Sequence, residues 1–304
     1  MNPATTPKPP LTWKQRFNAY ERLMRLDKPI GILLLLWPTL WGVWWAKSML
    51  PNPDILLIFI TGTVLMRSAG CVINDFADRD FDGHVERTKD RPLAAGLVTP
   101  AEALALAAVL IILAFCLVLF LNALTIRLSF AAVGLTVIYP FLKRVFPLPQ
   151  AWLGISFGFG IPMAFAAQIN EVPALAWWLL IATMFWAIAY DTEYAMVDRD
   201  DDLRIGVKSS AILFGRFDVA AVMLSHAAFM GILLRLGFTE SRGLLYFAGL
   251  AVAIVLIALQ YRMIRGRDRQ RCFRAFLQNN WVGCAIFAGI ATDLWFRIPM
   301  IALS

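Results

Sequence analysis

The sequence predicts an all-α membrane protein, a bundle of nine transmembrane helices. Of its 304 residues, 60% are hydrophobic and only 16% are charged, whereas about one quarter of the residues in a typical soluble domain are charged. The apolar residues form nine stretches, each close to the roughly 20 residues that a membrane-spanning helix needs. The formal net charge is +7, but the basic residues lie between the apolar stretches, as topology signals do, which disfavours a nucleic-acid-binding protein.

The apolar stretches follow one another along most of the chain. They cover residues 30–49, 54–74, 101–121, 124–142, 149–169, 174–191, 217–236, 243–262 and 279–301. Internal breakers such as Pro38 and Pro162 are compatible with membrane helices, because neighbouring helices can satisfy the freed backbone groups. We expect residues 30–304 to form a single transmembrane domain. Residues 1–29 are polar and basic, and we expect a cytoplasmic segment without a cleavable signal peptide.

The basic residues predict the orientation of the bundle. With the N-terminus inside, 22 of the 28 Lys and Arg residues fall in the segments that face the cytoplasm, namely 1–29, 75–100, 143–148, 192–216 and 262–278. Cytoplasmic loops of membrane proteins carry such an excess of Lys and Arg. We therefore expect the N-terminus and the two long loops, 75–100 and 192–216, on the cytoplasmic side.

Each of the two long loops has a cluster of acidic residues where an apolar span ends. On a helix that continues past the membrane, residues four or seven apart lie on one face. Like charges on one face destabilise a bare helix, so both clusters need a compensating cation. The first cluster has this spacing at Asn74, Asp78 and Asp82, with Asp75 and Asp80 between them, and the second has it at Asp191, Asp198 and Asp202.

The chemistry of these clusters indicates magnesium. Oxygen ligands suit Mg²⁺ or Mn²⁺, whereas the four cysteines and two histidines show no spacing typical of a thiolate or imidazole site. Mg²⁺ usually takes one or two carboxylates and completes its shell with water and substrate phosphate. Two facing clusters would thus hold two ions that bridge one diphosphate. The alternative is a pair of solvated acidic loops, which the matched spacing on one side of the membrane disfavours.

Basic residues follow both clusters and could bind phosphate oxygens. The positive-inside rule alone would also place Lys and Arg in these loops. Arg67 differs from them because it lies within the second span, where an Arg is costly and usually faces a polar cavity. The basic residues of the first loop are Arg79, Arg87, Lys89 and Arg91, and those of the second are Arg199, Arg204 and Lys208.

An apolar bundle around a diphosphate site implies a lipid substrate. Metal ions acting as Lewis acids would withdraw the diphosphate, and an allylic chain would leave as a carbocation from which water must be excluded. Aromatic faces stabilise cations. Tyr139, Tyr190 and Tyr194 lie at the span ends beside the clusters, although aromatic residues there are also typical of the membrane interface.

The two acidic motifs resemble those of a known family. "GCVINDFADRDFDGHVERTKDRPL" and "YDTEYAMVDRDDDLRIGVKSS" are similar to the two aspartate-rich motifs of the UbiA-type intramembrane prenyltransferases. "RLDKPIGILLLLWPTLW" and "YPFLKRVFPLPQ" are similar to the bacterial branch of that family that acts on 4-hydroxybenzoate in ubiquinone synthesis. The resemblance covers nearly the whole chain. It implies a nine-helix bundle in the bacterial inner membrane, with a central cavity that opens sideways to lipid.

The resemblance also implies an activity and a set of site residues. The activity is the Mg²⁺-dependent transfer of a polyprenyl chain from polyprenyl diphosphate to carbon 3 of 4-hydroxybenzoate, ortho to the phenol hydroxyl. The ring proton leaves to a base that the sequence does not identify. The expected metal ligands are Asn74, Asp78, Asp82, Asp198 and Asp202. The expected catalytic residues are Asp78, Asp191, Asp198 and Lys208. The expected substrate-binding residues are Arg67, Lys89, Arg91, Tyr139, Arg144 and Tyr194, with Arg144 matching a position associated with the aromatic acid.

Other functions remain open on the sequence alone. Relatives on the same scaffold use other acceptors, such as naphthoate, homogentisate or haem. A divalent-cation transporter would also contain acidic rings, but near the bilayer midplane, whereas these acids lie at helix ends. Phosphotransfer from a CDP-activated lipid also uses clustered aspartates and Mg²⁺, but neither loop shows the glycine pattern of that class.

Overall fold

The structure is a computed structural model that describes residues 12–47, 50–82, 88–142, 146, 148–205 and 208–301. The described side chains exclude those of residues 80–82, 140–141, 205 and 298–301. Within these limits every regular element is helical, and none is a β-strand. The elements are α1 (Trp13–Leu23), α2 (Ile30–Trp45), α3 (Pro53–Asp82), α4 (Pro100–Val118), α5 (Ala123–Leu142), α6 (Pro149–Gly158), α7 (Gly160–Ile169), α8 (Ala174–Ile205), α9 (Ser210–Phe214), α10 (Asp218–Thr239), α11 (Leu244–Ile264) and α12 (Arg269–Ile301), with a 3₁₀ turn at Gly215–Phe217 before α10.

The predicted fold class, an all-α membrane bundle, is confirmed. Each of the nine predicted spans lies on helical chain, with α6 and α7 together forming the fifth. Six helical stretches of the described residues are long and apolar enough to cross a membrane by themselves, and α2 and part of α5 are shorter apolar helices. The six stretches are Pro53–Arg79, Pro100–Val118, Pro149–Ile169, Ala174–Arg204, Ser210–Thr239 and Leu244–Ile264.

Several helix ends differ from those predicted. The fifth span is broken near Phe159, because Pro162 has no N–H to donate to the carbonyl of Gly158. Helices α3 and α8 continue well past their apolar stretches, to Asp82 and Ile205. The 32 residues of α8 extend about 48 Å at 1.5 Å per residue, whereas the hydrocarbon core is about 30 Å thick. The C-terminal parts of both helices line one cavity, so they lie at the same end of the bundle, which we call the acidic end.

Helix α1 precedes the first span and was not predicted. Its first turn is closed by a capping box, in which Thr12 and Gln15 each bind the other's backbone N–H. Such a box satisfies amide donors that a helix start leaves unpaired. The inner face of α1 packs at the acidic end, where Ala19 and Leu23 join Val72 of α3 in one apolar cluster.

One half of the bundle is densely packed and the other half is hollow. The main apolar core lies between α2, α7, α8, α10, α11 and α12. Its centre is aromatic: the Trp186 ring lies 5.2 Å from the Trp41 ring and stacks at 5.7 Å on Phe229. Helix α8 lies between the two halves. One face of it meets this core, and the other faces a cavity enclosed mainly by α2 to α7.

Candidate active site

A cavity of about 1100 Å³ runs into the hollow half of the bundle from the acidic end. At the acidic end it is lined by charged residues of α3 and α8. Farther from that end its lining includes the apolar residues Phe59 of α3 and Val118 of α4, both near the opposite end of their helices. The cavity therefore joins a charged chamber to an apolar arm that extends across the bundle.

The first acidic cluster enters the chamber from α3. Asn74 and Asp78 both line the cavity, and the Asn74 Nδ2 donates to Asp78 Oδ2 at 3.2 Å. This bond follows from the spacing of four residues, which places the two side chains one above the other on a helix. The described helix extends to Asp82, but the Asp82 side chain lies outside the described residues, so its predicted role as a ligand stays a prediction.

The second acidic cluster enters the same chamber from α8. Asp191, Asp198 and Asp202 all line the cavity, as their spacings of seven and four residues on one helix face predict. Asp201 lines it as well, and its carboxylate accepts a hydrogen bond from Arg269 Nη2 at 2.8 Å. The two clusters, far apart in the sequence, thus face one shared space.

The side chains present fit a magnesium site that needs a substrate to complete it. The donors are carboxylate and amide oxygens, which Mg²⁺ prefers. Among the described residues, no three acidic, histidine or cysteine side chains converge closely enough to hold an ion by themselves. Mg²⁺ commonly binds one or two carboxylates together with substrate phosphates. Asn74 and Asp78 on one wall, with Asp198 and Asp202 on the other, would hold such ions.

Arg67 lies in the cavity wall within the α3 span, where the sequence predicts it to face a polar space. Its Nη1 donates to the Cys71 thiol at 2.7 Å, and its guanidinium lies 5.6 Å from the centre of the Phe157 ring. The Arg67 Nε has no partner among the described atoms. A Cβ at Gly31 would lie 2.5 Å from Arg67 Nη2, so the glycine of "DKPIG" makes room for this side chain.

The basic residues predicted for the site, apart from Arg67, separate into three groups. Lys208 and Arg91 line the cavity, and Arg91 Nη1 lies 3.1 Å from an oxygen of Asp75. Lys89 is exposed and is not among the described residues that line the cavity. Arg144, which was expected to meet the aromatic acid, lies outside the described residues.

Two of the three candidate tyrosines face the cavity. Tyr139 and Tyr194 line it, and the Tyr194 ring lies 4.8 Å from the ring of Phe276, which is also part of the wall. Tyr190 instead is buried on the core side of α8, where its ring contacts that of Trp186 at 5.2 Å. The cavity thus offers aromatic faces close to the acidic clusters.

A buried polar group behind α8 was missed in the sequence. Glu193 is fully buried on the face opposite the cavity, and Asn279 Nδ2 donates to its carboxylate at 2.8 Å. The Asn279 side-chain oxygen in turn accepts from Trp186 Nε1 at 2.9 Å, and His226 Nε2 lies 3.9 Å from Glu193. Ionisable residues within a membrane span usually face the bundle interior. This group ties α8 to α10 and α12 and thereby fixes which face of α8 meets the cavity.

Comparison with known proteins places these features among related chains. The UbiA prenyltransferase family matches residues 35–283. A "4-hydroxybenzoate octaprenyltransferase" of Dechloromonas aromatica is 64% identical over 281 residues, which cover 92% of this chain and 95% of that protein. A protein of the same name from Nitrosospira multiformis is 63% identical over 94% of this chain and 99% of its own length.

Solved structures show the same architecture. The apo structure of a UbiA homologue from Aeropyrum pernix K1 is 27% identical to this chain and has a TM-score of 0.76. The match covers 86% of this chain and 97% of that one. A UbiA homologue from Archaeoglobus fulgidus bound to GPP and Mg²⁺ is 16% identical, with a TM-score of 0.70 over 90% of this chain and 99% of that one. The second likeness concerns the fold alone.

Proposed function

The chain belongs to the UbiA prenyltransferase family, and from this membership we propose that it transfers a polyprenyl chain from polyprenyl diphosphate to carbon 3 of 4-hydroxybenzoate, a step of ubiquinone synthesis. The names of relatives more than 60% identical over most of the chain support this acceptor. A homologue with the same fold is bound to GPP and Mg²⁺, a prenyl diphosphate and the metal ion that the proposal assigns to this cavity.

The observation that carries the proposal is the shared cavity. Acidic residues of α3 and α8 line its charged chamber together with Arg67 and Lys208, and the chamber continues into an apolar arm. A lipid with a diphosphate head needs both parts. Neither a cation pathway nor a soluble substrate requires a long apolar arm that extends across the bundle.

Each part of the cavity has a role in this reaction. Magnesium bound by the two acidic clusters supplies Lewis-acid stabilisation of the leaving diphosphate. Arg67 and Lys208 donate to its oxygens, which draws negative charge away from the breaking carbon–oxygen bond. The Tyr194 ring faces the allylic cation, and the apolar wall keeps water away from it. Ring carbon 3 of the acceptor then forms the new carbon–carbon bond, and its proton passes to a base in the chamber, either the released diphosphate or one of the aspartates.

The membrane arrangement belongs to the same proposal. The protein is a multi-pass membrane protein, and we place it in the bacterial inner membrane with the acidic end in the cytoplasm. The excess of Lys and Arg in the segments at that end supports this orientation. Water-soluble 4-hydroxybenzoate would then reach the chamber from the cytoplasm, while the polyprenyl chain enters from lipid.

An acceptor panel tests the proposed reaction. Purified protein in lipid vesicles with labelled polyprenyl diphosphate and Mg²⁺ is offered 4-hydroxybenzoate, a naphthoate, homogentisate or haem. We expect product with 4-hydroxybenzoate. Product with another acceptor alone refutes the assignment. Magnesium flux without any lipid diphosphate would instead support a transporter.

Variants of α3 and α8 test the site. Asp78→Asn and Asp198→Asn should each abolish turnover while the protein still folds, because each removes one charge facing the metal. Asp54→Asn is the matched control, since Asp54 is an exposed acid in the first turn of the same helix α3. Activity that survives both cavity substitutions contradicts the metal assignment.

A further inference from the structure

Asp75 belongs to the first acidic motif, yet its surroundings differ from those of Asp78. Its side chain is only 2% exposed. One nitrogen of Arg25, Nη2, donates to both carboxylate oxygens, at 2.9 and 2.8 Å. Arg91 Nη1 lies 3.1 Å from one of the same oxygens. Two arginines from other parts of the chain therefore meet on this one carboxylate.

The backbone at Arg25 indicates that its side chain matters. Arg25 follows Met24, the C-terminal cap of α1, and has a positive φ of 59°. Glycine is the usual residue at this position because any Cβ is disfavoured in the left-handed conformation. The second terminal nitrogen of Arg25, Nη1, donates to the Arg22 carbonyl at 2.6 Å. The guanidinium is therefore held between the end of α1 and Asp75.

Further contacts beside Asp75 join three separate segments of the chain at the cavity mouth. Arg22 Nη2 donates to the backbone carbonyl of Asp90 at 2.7 Å, and Leu23 packs in one cluster with Val72 of α3 and with Leu93. Helix α1 and segment 88–98 are thereby fastened to α3. Arg22, Arg25, Asp90 and Arg91 all line the cavity, so the joined segments form part of its rim.

A carboxylate in this state is poorly suited to hold a metal ion. Both oxygens of Asp75 already accept from guanidinium groups, and these fixed positive charges repel a cation that approaches them. We infer that Asp75 is a positioning residue, which holds the guanidinium groups of Arg25 and Arg91 at the cavity mouth, where their positive charge attracts the diphosphate. The inference rests on the proposed function, because it takes the cavity to bind a diphosphate.

A double-mutant cycle separates this role from metal ligation. The variants are Asp75→Asn, Arg25→Gly and the pair. Glycine suits the positive φ at position 25, so a loss in Arg25→Gly reports the missing guanidinium rather than a strained helix end. We expect each single change to raise the KM for polyprenyl diphosphate by about tenfold, with the Mg²⁺ concentration for half-maximal activity unchanged. We expect the double variant to match the single ones, as coupled partners do.

Two outcomes would overturn the inference. One is a shift of the Mg²⁺ dependence in Asp75→Asn, as a lost ligand would give. The other is a double variant whose effect is the product of the two single effects. Arg16→Ala is the control on the same helix, because its ion pair with Glu102 is an exposed contact at 2.6 Å and exposed pairs contribute little. Its KM should stay within about twofold of the unchanged protein.

Proteolysis tests the fastening of α1 without any substrate. With Asp75→Asn, trypsin should cleave between α1 and α2 about tenfold faster, because cleavage follows the population of the opened state. Unchanged cleavage means that Asp75 does not hold α1. Binding of an unreactive prenyl diphosphate analogue is measured alongside. If the unchanged protein fails to bind the analogue, the proposed function and the diphosphate role of these arginines are both refuted. The cleavage rates still decide whether Asp75 holds α1 against α3.

Discussion

Gly62→Phe should shorten the apolar arm of the cavity. Gly62 lines the cavity from α3, and a Cβ built there meets no other atom within 4 Å. A phenylalanine ring at this position would therefore project into open space in the arm. The proposed metal site is marked by Asn74, twelve residues further along the same helix, which places it about 18 Å away at 1.5 Å per residue.

The length of the substrate gives the size of the effect. An isoprene unit has four chain bonds of about 1.5 Å and extends by roughly 5 Å. The arm between Asn74 and Gly62 thus holds about three to four extended units. Forcing further carbon atoms into filled space costs about 1–3 kcal/mol, so kcat/KM for octaprenyl diphosphate should fall roughly 5- to 150-fold. Geranyl diphosphate, with two units, ends before the new ring and should lose less than about threefold.

The assay compares kcat/KM for geranyl, farnesyl and octaprenyl diphosphates with 4-hydroxybenzoate as acceptor. Gly231→Phe is the matched control, because Gly231 is an exposed glycine of α10 whose built Cβ also meets nothing within 4 Å. An equal loss for short and long donors, or no loss for octaprenyl diphosphate, refutes the idea that the chain follows α3 past Gly62.

Three further predictions follow from contacts in the structure. Chelation with EDTA should abolish product formation and added Mg²⁺ should restore it, because no cluster of described side chains could take over the role of the ion. Activity that persists in EDTA would contradict this prediction. Gly31→Ala should lower kcat about tenfold, because the new Cβ would lie 2.5 Å from Arg67 Nη2 and displace that side chain. Gly62→Ala should leave kcat unchanged, because the space around its Cβ is open. Asp218 is fully buried and its hydrogen bonds raise the pKa of the Arg267 guanidinium. Asp218→Ala should lower the free energy of unfolding by about 1–3 kcal/mol, and an unchanged thermal midpoint in detergent would show that this contact is dispensable.

Much of the site could be predicted because its pattern is local. Spacings of four and seven place Asn74 with Asp78, and Asp191 with Asp198, on single helix faces whatever surrounds them. The role of Asp75 could not be predicted, because its partner Arg25 lies fifty residues earlier in the chain. Glu193 is comparable, since it stands beside the cavity acids in sequence but binds Asn279, 86 residues later, behind the helix.

By itself, the sequence determined that this chain is an all-α membrane bundle, for which it predicts nine spans, and that it carries two clusters of acidic residues where predicted spans end. Both properties depend on composition and helical periodicity over some twenty residues, which no distant contact alters. Only the tertiary structure decided that the two clusters face one cavity, that an apolar arm leads away from the charged chamber, and that Asp75 binds Arg25 just after α1. These features arise from how helices pack, and packing is set by side chains that meet across the bundle rather than along the chain.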